Sequence, residues 1–363
     1  MLVLINPVCG HSSAPAFVAE HVRPLLPADA DVVITADHAD APARVAQQPG
    51  SGPLTVVLAS GDGTLHDIIS AVPPTRPIHF ALVPCGTANA LYASLFPPPA
   101  SPDLAYKLQS VQALLDRKSP LPLALASTTL GDVTSVSAVV VSTSLHASIL
   151  HDSEALRKDH PGIERFKIAA QQNSTKWYNA LLTLTPAPSQ SAVQIYDGTA
   201  FVPHSSSSRE PLTLSGPFVY FLSTVNVDRL EPAFRITPLA RAQPSPSTCD
   251  VVVIRPLRSP ALHADTPTAR DAFAATTWAV LGAAYQDGAH VRLAYTPDGQ
   301  VAPAPAGDLV VEYFRCGGWT WTPQQDDHDA HLVCADGAVS TIPPHASAIC
   351  TIDAFKHAFA VYA

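Results

Sequence analysis

The hydrophobic positions near the start of the chain fall in short, nearly unbroken runs separated by mixed segments. Leu2-Val3-Leu4-Ile5 is apolar throughout, as expected of a strand covered on both faces. Further strand candidates follow at Asp31 to Thr35, Leu54 to Ala59 and Phe80 to Val83. Between them, Ala16 to Leu26, Asp40 to Gln47 and Leu65 to Val72 read as helices, and another helix-like stretch, Ala88 to Phe96, follows the fourth run. Strand, turn and helix in alternation predict a parallel sheet in an α/β layer fold.

The pattern then changes. Pro97-Pro98-Pro99 breaks the chain, and a helix is predicted over Pro102 to Leu115. From about Leu121 onward, Val, Thr and Ser dominate short strand-like runs such as Asp132 to Thr143, Pro217 to Thr224, Cys249 to Pro256 and Asp308 to Cys316. One charged, helix-like interruption spans Asp152 to Trp177. Two domains are therefore expected. Residues 1–120 form an α/β nucleotide-binding domain and residues 121–363 a β-rich, mostly antiparallel sandwich. The last stretch, Ile352 to Ala363, is expected to pack back on the first domain. The Pro- and Ser-rich segments His204 to Glu210 and Pro238 to Thr248 read as surface loops.

Composition narrows the function classes. The 363 residues are 47% hydrophobic and 14% charged, enough apolar material for two cores. A net charge of -9 argues against a nucleic-acid partner. The six cysteines occur singly, with no paired spacing for zinc, and read as reduced core thiols. The N-terminus lacks the basic start of a signal peptide, and no apolar run is long enough to span a membrane. The expected setting is cytoplasmic, with any membrane contact peripheral and transient. Nothing in the pattern fixes an oligomeric state.

The candidate chemistry sits in two glycine turns that follow strands, Ser60-Gly61-Asp62-Gly63-Thr64 and Pro84-Cys85-Gly86-Thr87. In an open parallel sheet, ligands bind beyond the carboxyl ends of the strands. Glycines let backbone N–H groups approach a phosphate, and a following helix N-terminus favours negative charge. Thr64 and Thr87 can cap helices and donate hydroxyls. Asp62 breaks this scheme, because a carboxylate beside a phosphate is repelled. It belongs there if it holds Mg²⁺ or accepts a proton from an attacking hydroxyl, which points to phosphoryl transfer. The turn read alone also fits a plain tight turn closed by the Asp62 side chain.

Taken in order, the segments resemble the diacylglycerol kinase catalytic-domain superfamily, most closely its sphingosine kinase branch as found in fungi. The resemblance rests on Ile5-Asn6-Pro7, on LASGDGTLHDIISAV, on VPCGTANALYASLF, on HDSEALRKDHPGIERFKIAA and on YFRCGGWTWTP followed by CADG. It implies a lipid kinase using ATP and Mg²⁺, with the NAD kinase/diacylglycerol kinase-like fold and a lipid alcohol as acceptor. By the same resemblance, Asn6, Ser60, Gly61, Gly63, Gly86 and Thr87 contact ATP or shape its pocket, and Asp62 is the base or orients the acceptor hydroxyl. Arg157 and Arg165 face the phosphates. Asp336 lies near nucleotide and metal, so that Asp62 and Asp336 are the implied Mg²⁺ ligands. Asp67, Asn89 and Glu154 support the site. Read without the resemblance, the two arginines fit a solvated helix face, Asp336 an ordinary Asp-Gly hairpin, and Trp319 with Trp321 a core-facing strand pair.

Four departures bear on activity and substrate. The opening loop, Asn6 to Ser13, has one glycine and no lysine where the family's is glycine-rich. Ala147-Ser148-Ile149-Leu150 lacks the acid that reads the amino-alcohol head in sphingosine kinases. Ala338 stands where the closing D-G-E has Glu, and Ala88 where glycine is common. A protonated amine without a counter-ion in a lipid pocket is costly. A neutral lipid alcohol, such as diacylglycerol or a ceramide, is thus as good an acceptor as a sphingoid base. Two alternatives stay open: a weakened or inactive binding member of the family, and an NAD kinase.

Overall fold

The four apolar runs of the first region form parallel strands β1 (Leu2–Ile5), β2 (Asp31–Ile34), β3 (Leu54–Ser60) and β4 (Ile78–Pro84) in the computed structural model. It describes residues 1–73, 75–160, 162, 164–205, 210–240, 247–304, 308–353 and 358–363. Parts of the charged segment (161 and 163) and of the two Pro/Ser-rich loops (206–209 and 241–246) lie outside the described residues.

Alternate residues of β1, β3 and β4 enter opposite cores, as the pleat requires, whereas β2 is a largely exposed edge strand. Leu2, Leu4, Val56, Leu58 and Phe80 pack with α2 (Asp40–Ala46) and α3 (Asp62–Ala71), following α1 (Ala14–Phe17) in the chain. Val3, Ile5, Val57, Ala59 and Val83 pack instead with Ala14, Val18 and Val22, in and just after α1. α4 (Ala90–Leu95) follows β4. The single helix predicted over Pro102 to Leu115 is interrupted at Leu108, giving α5 (Leu104–Lys107) and α6 (Gln109–Leu115). The backbone at Leu108 (φ -101°, ψ 1°) leaves the helical range, and Val111 and Ala113 of α6 fill the second core.

The remaining strands are β5 (Leu121–Pro122), β6 (Leu125–Leu130), β7 (Val133–Ser137), β8 (Val140–Thr143), β9 (Ala180–Thr185), β10 (Gln194–Tyr196), β11 (Phe201–Pro203), β12 (Leu212–Ser215), β13 (Tyr220–Thr224), β14 (Cys249–Ile254), β15 (Leu293–Tyr295), β16 (Val301–Pro303), β17 (Glu312–Cys316), β18 (Gly318–Pro323), β19 (Leu332–Ala335), β20 (Ala338–Thr341), β21 (Ala348–Asp353) and β22 (Phe359–Val361). Two antiparallel sheets hold most of them, in the orders β11-β10-β17-β14-β13-β8-β19-β20 and β12-β9-β18-β21-β6-β7. Trp319 and Trp321 of β18 are buried between these sheets: Phe221 of β13 lies 4.8 Å from Trp319, and the Trp319 indole N–H donates to Ser223 Oγ at 2.9 Å. Core packing is thus their role. The first sheet reads β2-β1-β3-β4-β22-β5, so a strand from the end of the chain lies parallel to β4.

Among the described residues, three α-helices complete the second region. α7 (Ser144–Ala155) and α8 (Glu164–Asn173) occupy the charged interruption, but α7 starts at Ser144 rather than Asp152. Its first turn is buried through Ser144, Leu145, Ala147 and Ser148, so its composition mimics the strand before it. α9 (Pro267–Ala284) has no counterpart in the sequence reading. Its start was legible: the Thr266 hydroxyl accepts the Ala269 N–H at 3.2 Å, and Pro267 occupies the first turn. All six cysteines are free thiols, four of them buried.

One buried ion pair stiffens the second region. Arg315 on β17 makes two hydrogen bonds to Asp250 on β14, at 2.7 and 3.0 Å, and the Tyr313 hydroxyl adds a third at 2.6 Å. Both charged residues are at most 5% exposed. Asp250→Ala is expected to lower the unfolding free energy by about 3–5 kcal/mol, because it strands a buried guanidinium. Chemical denaturation with an unchanged m-value checks this.

Candidate functional site

Strands β1, β3 and β4 run in register, with Leu4 opposite Leu58 and Ser60 opposite Pro84. Their carboxyl ends therefore place three turns side by side. Gly61 and Gly86 allow the second and third turns to touch: a Cβ on Gly86 would lie 2.5 Å from Gly61 Cα and 3.0 Å from Asn89 Oδ1. Gly10 brings in the first turn. It has φ +52°, and a Cβ there would stand 2.3 Å from the Cys85 carbonyl oxygen. The one glycine of the opening loop is thus at the position where closeness demands it.

Side chains lock the turns. Asn6 Nδ2 donates to Thr64 Oγ1 at 3.1 Å, and the Thr64 and Ser60 hydroxyls share a 2.6 Å bond. Ser60 and Thr64 are buried by these contacts. Asn89 adopts φ +53°, a conformation Asn tolerates better than most residues, and its amide closes the third turn by bonding both the N–H and the C=O of Gly86, at 2.9 and 2.8 Å. Gly63 and Thr87 are exposed, and a Cβ on Gly63 would meet nothing within 4 Å.

Asp62 is the first residue of α3, but its carboxylate serves α4. Oδ2 accepts the Ala90 N–H at 2.6 Å and Oδ1 the Leu91 N–H at 3.1 Å, which satisfies two donors left free at that helix start. The side chain is half-buried. Burial pushes its pKa up to about 6; the two α4 N–H bonds oppose the rise and the charge of Asp336 adds to it. A small cavity of about 20 Å³, room for one water, lies against Ser60, Gly61, Asp62 and Asn89. It is too small for a phosphate. Asp67 is half-buried further along α3, its carboxyl raised by burial.

Asp336 joins this group from the second region. It is 8% exposed, and its carboxylate accepts backbone N–H bonds from Ala138 (2.7 Å), Val139 (3.0 Å) and Val140 (2.7 Å). His66 on α3 approaches it at 3.4 Å. The sequence reading did not single out His66, since one His on an amphipathic helix carries no local signal of a partner 270 positions away. Among the described residues no group of three or more His, Cys, Asp or Glu could hold a metal. The donor set fits a Mg²⁺ carried on a triphosphate more than one caged by protein, which is common for this ion.

Glu154, Arg157 and Arg165 form a second group where α7 gives way to α8. Arg157 pairs with Glu154 at 2.7 Å, both exposed. Arg165 stacks over Phe166 at 4.6 Å, and its Nε is buried without a partner. Burial, and then the neighbouring Arg157, lower its pKa. Among the described residues, Glu154 and Arg157 bond each other and neither they nor Arg165 reach Asp62 through a hydrogen bond or ion pair. On α7, Ser148 is buried and accepts the Tyr178 hydroxyl at 3.0 Å. That position therefore offers no negative charge.

Residues 1–119 match the family model described as the diacylglycerol kinase catalytic domain. Solved structures show a similar fold. A candidate diacylglycerol kinase from Bacillus anthracis str. Sterne aligns with a TM-score of 0.55 at 13% identity, covering 100% of this chain and 96% of that one. A structure from the same organism, described as a diacylglycerol kinase, aligns with a TM-score of 0.52 at 12% identity, again over 100% and 96%. No curated protein sequence matches. At such identities these structures speak for the fold, which joins a parallel α/β sheet to antiparallel sheets in the C-terminal region. No helix among the described residues is long and apolar enough to cross a membrane.

Proposed function

We propose that the chain is an ATP-dependent lipid kinase that phosphorylates the hydroxyl of a neutral lipid alcohol. The observation that carries the reading is Asp62. A half-buried carboxylate with a pKa near 6 lies on one of two touching glycine turns and bonds the helix that follows the other, within residues that match a kinase catalytic domain. The motif order, from Asn6 through Arg165 to Asp336, favours a lipid acceptor.

In this reading the phosphates lie over Gly61, Gly63 and Thr87; Gly86, whose N–H already serves Asn89, shapes the turn; and Asn6, Ser60, Thr64 and Asn89 brace the turns from inside. The N-terminus of α3 adds a favourable dipole. Mg²⁺, when bound with ATP, neutralises phosphate charge. Asp62 accepts the proton of the acceptor hydroxyl as that oxygen attacks the γ-phosphate and the bond to the β–γ bridging oxygen breaks to release ADP, and its α4 bonds fix the carboxylate for that role. Arg157 and Arg165 lie close enough together to repel, so a phosphate between them would relieve that repulsion and give the Arg165 Nε an acceptor.

Ser148 supports the neutral acceptor. An amine head would meet a serine already bonded to Tyr178 instead of a carboxylate. Incubating the protein with labelled ATP, Mg²⁺ and a panel of diacylglycerols, ceramides and sphingoid bases tests this. Neutral alcohols are expected to exceed the protonated amines by about tenfold or more in kcat/KM. Preferential labelling of the sphingoid bases would refute the neutral acceptor, and labelling of NAD with no labelling of lipid would refute the lipid kinase.

A further inference from the structure

The resemblance gives Asp336 a place beside nucleotide and metal, yet its surroundings leave no room for either. A carboxylate offers about four acceptor directions. Here Oδ1 takes the Val139 and Val140 N–H groups, and Oδ2 takes Ala138 N–H and faces His66 Nδ1. The Asp336 side chain is 1% exposed and that of His66 8%. Three successive N–H groups make a concave anion site, here filled by a side chain. The backbone of Asp336 returns the contact, donating its own N–H to the Val140 carbonyl at 2.9 Å. Its φ of +48° sets the chain in the left-handed region at the turn between β19 and β20.

The same spot ties the two regions together. His66 lies one helical turn after Asp62 on α3. At 3.4 Å its contact with Asp336 is long for a hydrogen bond, and a second tie runs beside it: Ser70 Oγ, 3.4 Å from His66 Nε2, donates to the Val136 carbonyl at 2.8 Å. α3, which carries Asp62, is thereby held against residues 136–140 and the 336–337 turn.

We infer that Asp336 and His66 form a latch between the two regions, and that Asp336 is a positioning residue for the Asp62 helix rather than a metal or nucleotide ligand. The latch stands apart from the kinase reading; only its effect on turnover rests on that reading. Loss of one charge-assisted bond loosens the clamp without emptying the turn.

Hydrogen exchange of the ATP-free protein, without Mg²⁺, tests the latch directly. Asp336→Asn, which sets an amide N–H against a backbone donor, is expected to speed exchange at Ala138–Val140 by about tenfold or more. His66→Leu keeps the core volume and is expected to speed exchange in the Val136–Val140 peptide and to lower kcat about tenfold, with KM for ATP within about twofold. His66→Asn, which restores a donor toward Asp336, is expected to recover both. Unchanged exchange in both weakening variants would overturn the latch. So would an Asp336→Asn protein whose ATP binding demands about tenfold more Mg²⁺, since that marks a metal ligand. If no lipid is phosphorylated at all, the exchange results still decide for or against the latch, and the failure belongs to the kinase reading alone.

Discussion

Asp62→Asn is expected to lower lipid phosphorylation by about 10²- to 10⁴-fold, the usual reach of a lost general base. The change is nearly isosteric, and the Asn oxygen can keep one of the two N–H bonds that Asp62 accepts from Ala90 and Leu91. The fold should survive, as circular dichroism and a thermal melt would verify. The same assignment fixes a pH dependence. Burial raises the Asp62 pKa to about 6, so the carboxyl is protonated and inactive below that value and competent above it. Activity should therefore fall as pH drops through about 6, and the acid limb should vanish from whatever residual activity Asp62→Asn retains.

Gly86→Ala should be far more damaging than Gly63→Ala in the two glycine turns beside Asp62. The new methyl would stand 2.5 Å from Gly61 Cα and 3.1 Å from Gly61 N, both backbone atoms that can move only with their turn. The two turns must part, at a cost of about 1–3 kcal/mol in stability, and in the proposed kinase the surface offered to the phosphates is lost with them. ATP affinity is expected to fall more than tenfold by calorimetry, on the order of 1.4 kcal/mol. Gly63→Ala separates the two effects. Its Cβ meets nothing within 4 Å, so stability should hold, and any loss of ATP affinity reports a phosphate lying over that residue.

Much of this was legible before the fold was known. Leu2 to Ile5, Leu54 to Ala59 and Phe80 to Val83 announce covered parallel strands because both of their faces need apolar side chains, and Gly61 beside Asp62 marks a turn where backbones approach. The register of β1, β3 and β4 then places the turns together without further information. What escaped depends on partners distant in the chain. α9 hid in a run of Ala, Thr and Val whose apolar positions show little contrast, although Thr266 and Pro267 signalled its start. The first turn of α7 looked like strand because its residues are buried. The α4 capping by Asp62 and the filling of Asp336 by residues 138–140 have no local signature at all. For that reason, the motif read alone suggests a metal role for Asp336, whereas the clamp is inferred from its contacts.

The most direct test of the central assignment is a pH series of labelled-phosphate transfer from ATP to a neutral lipid alcohol by the wild-type protein and by Asp62→Asn. The account predicts transfer by the wild type that declines below about pH 6, and loss of nearly all transfer at every pH in the variant. Equal transfer by the two proteins would remove Asp62 from the chemistry. A folded wild type that binds no ATP and transfers no label would contradict the kinase itself.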